Sequence, residues 1–523
     1  MAYQLHGGGG VAPDLNPLPA IGGEQAPPAA AEVDRISSLP EKARQRILSF
    51  LPLKTATMLG MVSRSWSRLV SKPQWPCDSI LGIHIRPATA TQGPCHCPLV
   101  THVRSDQIAP LLANELASRG RGPGPGHRLL RFLLNVEDAQ TRPADFDSLL
   151  DYSADCDVEH VVVVVDARRG PPELSFNFPR ASHHLLRLVL FGVGVNEAHR
   201  PMSQFRSINT LEVMTIQNTS LGDLDLRRIL LSCSRLRILV LRNCRVLTCV
   251  NVTAASERLA RLTVVECPQV EKISASTALG LHSFRYSGAL LRSVALPQTC
   301  FGDLYIRFTK SRVSSQIQYH SWLNALPNLS NLVVLTICSN ALKIMSSLRS
   351  REDFQPQVAK LSNLQNLREL QLVLYTMDTL MLSHIYWFLR MCRCSRLRNL
   401  FVELPEVKGE SFMDAVRGLA AEEPMMDDFN NLVIVKITNF KWQCNEIELV
   451  HFLLRKASSL QKVILVVPKG TITERDQSGN PIFPDVNLLR FEKFPAKVKV
   501  VVLNECLGAK IREFHRDVFL EYY

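Results

Sequence analysis

Leu236 to Cys244 reads LRILVLRNC, and this phrase decides how the chain is built. Apolar and other residues alternate along it, and a period of two places alternate side chains on opposite faces of a β-strand. Its two inward apolar positions alternate with outward ones, and Leu236 packs beneath. The outward set is read as Arg237, Val240 and Arg242. Asn243 and Cys244 close the phrase. An amide or a small thiol there can meet backbone groups or fill the turn, so Cys244, Cys267 and Cys233 are expected to be core plugs rather than reactive thiols.

Working outward, the same phrase recurs. Copies are LLRLVL (Leu185 to Leu190), LEVMTI (Leu211 to Ile216), LARLTVVEC (Leu259 to Cys267) and the degenerate LHSFRY (Leu281 to Tyr286). Later copies are LVVLTI (Leu332 to Ile337), LRELQL (Leu367 to Leu372), LRNLFV (Leu397 to Val402), LVIVKI (Leu432 to Ile437) and LQKVIL (Leu460 to Leu465). The central starts at 185, 211, 236, 259 and 281 are 26, 25, 23 and 22 apart. Such steps resemble leucine-rich repeats, whose period is about 20–29 residues. One repeat cannot bury its own apolar face, so several must stack, with their strands as parallel neighbours on one concave wall. Return segments pass behind, and Leu226 to Ser232, Leu380 to Met391 and Phe412 to Ala421 have helical spacing. Ser339 to Gln357 is expected to project as an inserted loop.

Ahead of the array, Asp34 to Trp75 is helical in pattern. Leu39, Ala43, Ile47 and Leu51 are four apart and share a helix face. Ser38 can serve as N-cap near Pro40, and Pro52 ends the helix at a corner. Leu59, Val62, Trp66 and Leu69 continue a second arm. So short a hairpin rarely buries enough surface to stand alone; it is either a cap on its own chain or a docking module. With Ile36, Leu39, Pro40, Ile47, Leu48, Leu51, Pro52, Val62, Ser63, Trp66 and Leu69 in place, the stretch resembles an F-box, in a spelling typical of plant members. The resemblance implies docking to the Skp-like adaptor of an SCF-type cullin ubiquitin ligase, through Leu39, Pro40, Ile47, Leu48, Leu51, Pro52, Val62 and Trp66. Gly60 and the Ala43-Arg44 pair depart from the family pattern.

At the far end, Asp427 to Pro468 reads as strand, loop, helix and strand, with Asn445 as the expected helix cap. Leu432, Val435, Ile437, Phe440, Glu446, Leu449, Phe452, Leu453, Ala457, Leu460 and Val463 make it resemble the FBD motif of plant F-box proteins. A unit of this kind would cap the open end of the array. The expected fold class is an α/β repeat: a small N-terminal helical F-box, then a leucine-rich-repeat solenoid with a parallel concave sheet, capped by an FBD-like β-α-β unit. The expected division is a disordered tail at 1–33, F-box at 34–75, linker at 76–128, repeats at 129–425, FBD-like cap at 426–503 and a C-terminal tail at 504–523. Within the linker region Ile80 to Ile85 reads as a strand and Pro110 to Arg119 as a short helix, while Arg119 to Gly126, RGRGPGPG, can sustain neither helix nor central strand and is read as a hinge.

The chain has 523 residues and a net charge of +12. That charge is diffuse, without basic blocks or interleaved aromatics, so no nucleic-acid partner is expected. No apolar run reaches the ~18 residues of a membrane span, so no membrane partner is expected either. The opening MAYQLHGGGG lacks the features of a secretory leader, and the 14 cysteines follow no framework spacing. The expectation is reduced thiols in cytoplasm and/or nucleus. Cys95-His96-Cys97 and Cys392-x-Cys394 lack zinc spacing. Gly7 to Gly10 has no following Lys-Ser/Thr, and no nucleophile motif frames the serines. Neither cofactor, metal nor catalytic residue is expected. The leading reading is a substrate receptor that works by proximity, the alternative a repeat scaffold outside any ligase.

Overall fold

The computed structural model describes residues 39–41, 43–44, 47, 66, 68–69, 80–87, 100–118, 129–166, 174–176, 184–195, 209–253, 257–309, 322, 324–346, 355–362, 364–392, 394–406, 429–468, 498–504 and 514–515. In chain order its elements begin β1 (Ile80–Ile85), β2 (Val100–Val103), α1 (Ile108–Ser118), β3 (Arg131–Val136), α2 (Pro143–Asp155), β4 (His160–Val165), β5 (Arg187–Phe191) and β6 (Val213–Gln217). Then come α3 (Asp223–Ser232), β7 (Ile238–Arg242), β8 (Cys249–Asn251), β9 (Arg261–Val265), β10 (Lys272–Ser274), β11 (Ser283–Gly288), β12 (Ser293–Ala295), β13 (Asp303–Phe308) and β14 (Val334–Cys338). The chain continues as α4 (Ser339–Ser346), α5 (Gln355–Ser362), β15 (Glu369–Val373), α6 (Thr379–Cys392), β16 (Asn399–Glu403), β17 (Ile434–Thr438), α7 (Cys444–Lys456), β18 (Lys462–Val467) and β19 (Lys499–Asn504).

Sixteen of these strands form one sheet, in the order β19-β18-β17-β16-β15-β14-β13-β11-β9-β7-β6-β5-β4-β3-β1-β2. Every pairing that joins them is parallel, and the chain is an α/β repeat solenoid. The register follows the leucines. Leu239 stands beside Met214 and Leu262, and Leu241 beside Ile216 and Val264, and all six are fully buried. The opening leucines 185, 211, 236, 259, 281, 332, 367, 397, 432 and 460 are buried as well. Truncating a buried leucine to alanine costs about 2–5 kcal/mol, so each rung depends on this packing.

Repeat length decides what lies behind the sheet. The steps of 25, 30 and 28 residues that begin at 211, 367 and 432 accommodate α3, α6 and α7. The shorter steps of 23 and 22 leave no room for a helix. There the chain returns as β8 and β10, which with β12 make a second parallel sheet. Asp223, at the start of α3, covers the open edge of β8. Its carboxylate accepts from Thr248 N at 2.8 Å, Cys249 N at 3.0 Å and the Thr248 hydroxyl at 2.5 Å.

The turn out of the strand also has a physical basis. Asn218, Asn243, Glu266 and Asn439 each follow a strand directly, with φ of 55°, 48°, 56° and 60°. Asparagine tolerates this left-handed conformation better than most residues. Asn243 Nδ2 donates to Asn218 Oδ1 at 2.7 Å, and Asn439 Nδ2 donates to the Leu404 carbonyl at 2.9 Å. Gly192 occupies the equivalent place after β5 at φ 69°, where a Cβ would fall 2.1 Å from the Val165 carbonyl oxygen.

The structure corrects several expectations. Residues 76–128 are more than a linker: the strand at 80–85 and the helix near 110–118 are present as β1 and α1, and β1 pairs with β3 while β2 adds on its outer side, so the sheet already includes residues 80–85 and 100–103. Ser339 to Gln357 is no simple loop, since α4 buries Ala341, Leu342, Ile344 and Met345 at helical spacing. The cap of α7 is Gln443, not Asn445. The Glu446 carboxylate accepts from Lys441 N at 2.7 Å and Gln443 N at 3.2 Å, while Asn445 Nδ2 donates to the Met377 carbonyl. The C-terminal β–α–β unit does not lie across the last edge. It continues the sheet as β17, β18 and β19, and β19 is itself the edge strand among the described residues. The eleven residues that carried its resemblance are all buried. RGRGPGPG, Phe412 to Ala421 and the tail at 1–33 lie outside the described residues.

Replacing Asp223 with alanine leaves two backbone N–H groups without their acceptor. A loss of about 1–3 kcal/mol is expected, with Asp223→Asn intermediate, as read by denaturant midpoint.

Candidate functional site: front helix and concave wall

At the front, the described residues outline the start and end of the helical stretch. Ala43 N and Arg44 N both donate to the Pro40 carbonyl, at 2.9 and 3.1 Å, which closes the first helical turn. Pro40 is exposed, Leu39 and Ile47 are half-buried, and Trp66 and Leu69 are buried. Leu48, Leu51, Pro52 and Val62 lie outside the described residues.

The concave wall is set by the strand positions whose side chains face away from the leucine core. In β7 these are Ile238, Val240 and Arg242. Arg237 precedes the strand and shares the parity of Leu239, so its expected place among the outward residues is corrected by one position. Arg242 pairs with Glu266 at 3.1 Å. One ladder of the wall runs Thr263, Arg285, Tyr305, Thr336, Gln371, Phe401, Lys436. All seven are buried, although a solenoid's inner wall is its natural contact face.

Asp303, the first residue of β13, is the centre of this buried wall. Its Oδ1 accepts from Ser283 Oγ at 2.9 Å, Arg285 Nε at 3.1 Å and His515 Nε2 at 2.9 Å. Burial pushes the carboxyl up, but the hydrogen bonds from His515 and Ser283 and the charges of Arg285 and His515 outweigh it and hold the group below the ordinary carboxylate value. The second nitrogen of His515, Nδ1, lies 2.8 Å from the Thr336 hydroxyl, which donates to Gln371 Oε1 at 2.8 Å. The Gln371 amide N–H donates to Glu369 Oε1, which also accepts from Phe514 N at 2.8 Å. The network thus joins four neighbouring strands to a segment more than a hundred residues further along.

Sequence reasoning missed β13 and with it Asp303. The strand lies between the copies that begin at 281 and 332, and its phrase, FGDLYIRF from Phe301, opens with phenylalanine in the leucine's place. Phe301, Leu304 and Ile306 are buried as a leucine and its two partners would be. The same spacing, read with aromatics allowed at the first position, finds the strand.

Cys233, Cys244, Cys267 and Cys338 sit as core groups. Cys244 N donates to Cys267 Sγ at 3.4 Å, and Phe308 N donates to Cys338 Sγ at 3.1 Å. Burial pushes the Cys233 thiol up to about 12, which suppresses the reactive thiolate. Among the described residues no group of three or more His, Cys, Asp or Glu side chains could hold a metal ion.

A parallel solenoid behind a helical front module defines the class, a leucine-rich-repeat protein with an F-box: residues 36–76 match the F-box domain family. Residues 130–483 match the At1g61320/AtMIF1 LRR domain, and this chain belongs to that family. No curated protein matches the chain. Similar solved structures include the leucine-rich repeat-containing protein LegL7 from Legionella pneumophila, at 13% identity and TM-score 0.27, covering 59% of this chain and 90% of that one. An internalin (inlF) from Listeria monocytogenes matches at 12% identity and TM-score 0.26, covering 69% and 87%.

Because the Asp303 carboxyl is held low in the fold, its contribution to stability is complete above the ordinary aspartate value of about 3.9 and is lost as pH falls through the lower folded value. Urea midpoints measured from pH 6 downward are expected to drop below about pH 4, and Asp303→Asn should flatten part of that slope.

Proposed function

We propose that the chain is the substrate-recognition subunit of an SCF-type cullin ubiquitin ligase. The F-box would dock the Skp-like adaptor, and the repeat array would hold a target protein for ubiquitination and degradation. The observation that carries this reading is the F-box match at 36–76 directly ahead of a long solenoid wall. F-box proteins are typically non-catalytic adaptors, so the chain would act by proximity: it raises the target's local concentration beside a ubiquitin-loaded enzyme supplied by the complex.

The docking set comprises Leu39, Pro40, Ile47, Leu48, Leu51, Pro52, Val62 and Trp66. Exposed Pro40 and half-buried Leu39 and Ile47 suit contact with a partner's helices, whereas buried Trp66 suits internal support. The reading extends to a plant source, an FBD-like character for residues 426–503, and a place in cytoplasm and/or nucleus. The resemblance of the eleven buried residues at 432–463 supports the FBD assignment.

Leu39→Ala combined with Pro40→Ala is expected to abolish co-purification of the adaptor while the array melts at its native temperature. Unchanged adaptor recovery from the double variant would sink the ligase reading. Trp66→Ala should instead lower the stability of the front module, by about 3–5 kcal/mol for a buried tryptophan.

A further inference from the structure

The concave wall carries an occupant of its own. His515 lies on β13 and β14 with its side chain fully enclosed, and Tyr305 meets its ring edge-on at a centroid distance of 5.5 Å. Phe514 stays exposed at the rim, with the Arg285 guanidinium 5.5 Å from its ring centre. The hydrogen-bond directions define what the site accepts. Glu369 has only acceptors to offer, so the Gln371 amide turns its N–H there and its carbonyl toward Thr336. The Thr336 hydroxyl donates its proton to that carbonyl and turns a lone pair toward His515 Nδ1. On the other side Nε2 faces the ionised Asp303. With the hydroxyl's proton on Gln371, both ring nitrogens meet acceptors, which suits the doubly protonated imidazole.

We propose that Asp303, Tyr305, Thr336, Glu369 and Arg285 form a peptide-recognition site for an aromatic residue followed by a cationic imidazole, filled here by the chain's own Phe514 and His515. This rests on the reading of the concave wall as the partner-binding face. It names the partner's chemistry: a target segment enters with its imidazolium against Asp303 and its aromatic ring over Arg285. Charge pairing and aromatic contact in a desolvated pocket are the usual makings of a binding hot spot. The tethered segment competes at an effective concentration on the order of millimolar, so a weakly matching peptide is excluded and only a better one enters.

The test uses the full-length chain and a fluorescent peptide with the sequence of residues 510–520. Anisotropy is read on the native protein and on the Phe514→Ala/His515→Ala variant. It is also read on that double variant with Asp303→Asn or Glu369→Gln added. The double variant is expected to bind the peptide about tenfold or more tightly than the native chain, because its site is vacated. Either wall substitution, or alanine in place of the peptide's imidazole, should return binding to the native level. Equal binding by native and double-variant chains, binding by neither, or indifference to the imidazole would overturn the proposal. Circular dichroism melting accompanies each variant, and half-buried Glu369 supplies the answer if Asp303→Asn does not fold. Adaptor co-purification, read on the same proteins, separates the two conclusions. Its loss with peptide binding intact removes the ligase and leaves the site.

Discussion

The structure depends on the stacking of each rung's apolar residues against those of the rungs on either side. A strand of five or six residues with a leucine beneath it has no second apolar layer of its own. Only a neighbour in parallel register supplies one. This is why Leu239 and Leu241 align with Met214 and Ile216 on one side and Leu262 and Val264 on the other. Edges, turns and return segments adapt to that one requirement. The turn asparagines accept positive φ, the thiols of Cys267 and Cys338 accept backbone hydrogen bonds, and the backs of the rungs become helix or strand as length allows.

A rigid frame of this type makes the wall's chemistry a matter of register. Because every strand is parallel and in step, Arg285, Tyr305, Thr336 and Gln371 stand in one row although 86 positions separate the first from the last. Ser283, Asp303 and Glu369 belong to the row beside it. Four consecutive strands thus assemble a pocket with a carboxylate at one side and a hydroxyl at the other, set 2.9 and 2.8 Å from the two nitrogens of one imidazole. The front module offers a helical turn at Pro40, and the wall offers a row of buried polar groups.

Much of the frame was legible in the leucine spacing. All ten copies of the repeated phrase became strands of one sheet, and the helices behind β6, β15 and β17 lie where helical spacing placed them. Departures have identifiable causes. β13 escaped because Phe301 takes the leucine's place. The 339–357 segment was read by length alone, while its apolar residues 341, 342, 344 and 345 had the spacing of a packed helix. The cap of α7 was placed at Asn445 on residue preference, yet Glu446 reaches back to the N–H groups of Lys441 and Gln443 and moves the start to Cys444.

From the sequence alone came the repeat, its strand, its inward leucines and the F-box resemblance at the front, because these rest on local periodicity and on residues near each other in the chain. Tertiary structure alone decided that β2 lies outside β1 and that His515 meets Asp303 across 212 positions. Such contacts have no period. They depend on which rows the stacked rungs bring into line and on where a distant segment finds hydrogen-bond partners, and neither is written in any short stretch of residues.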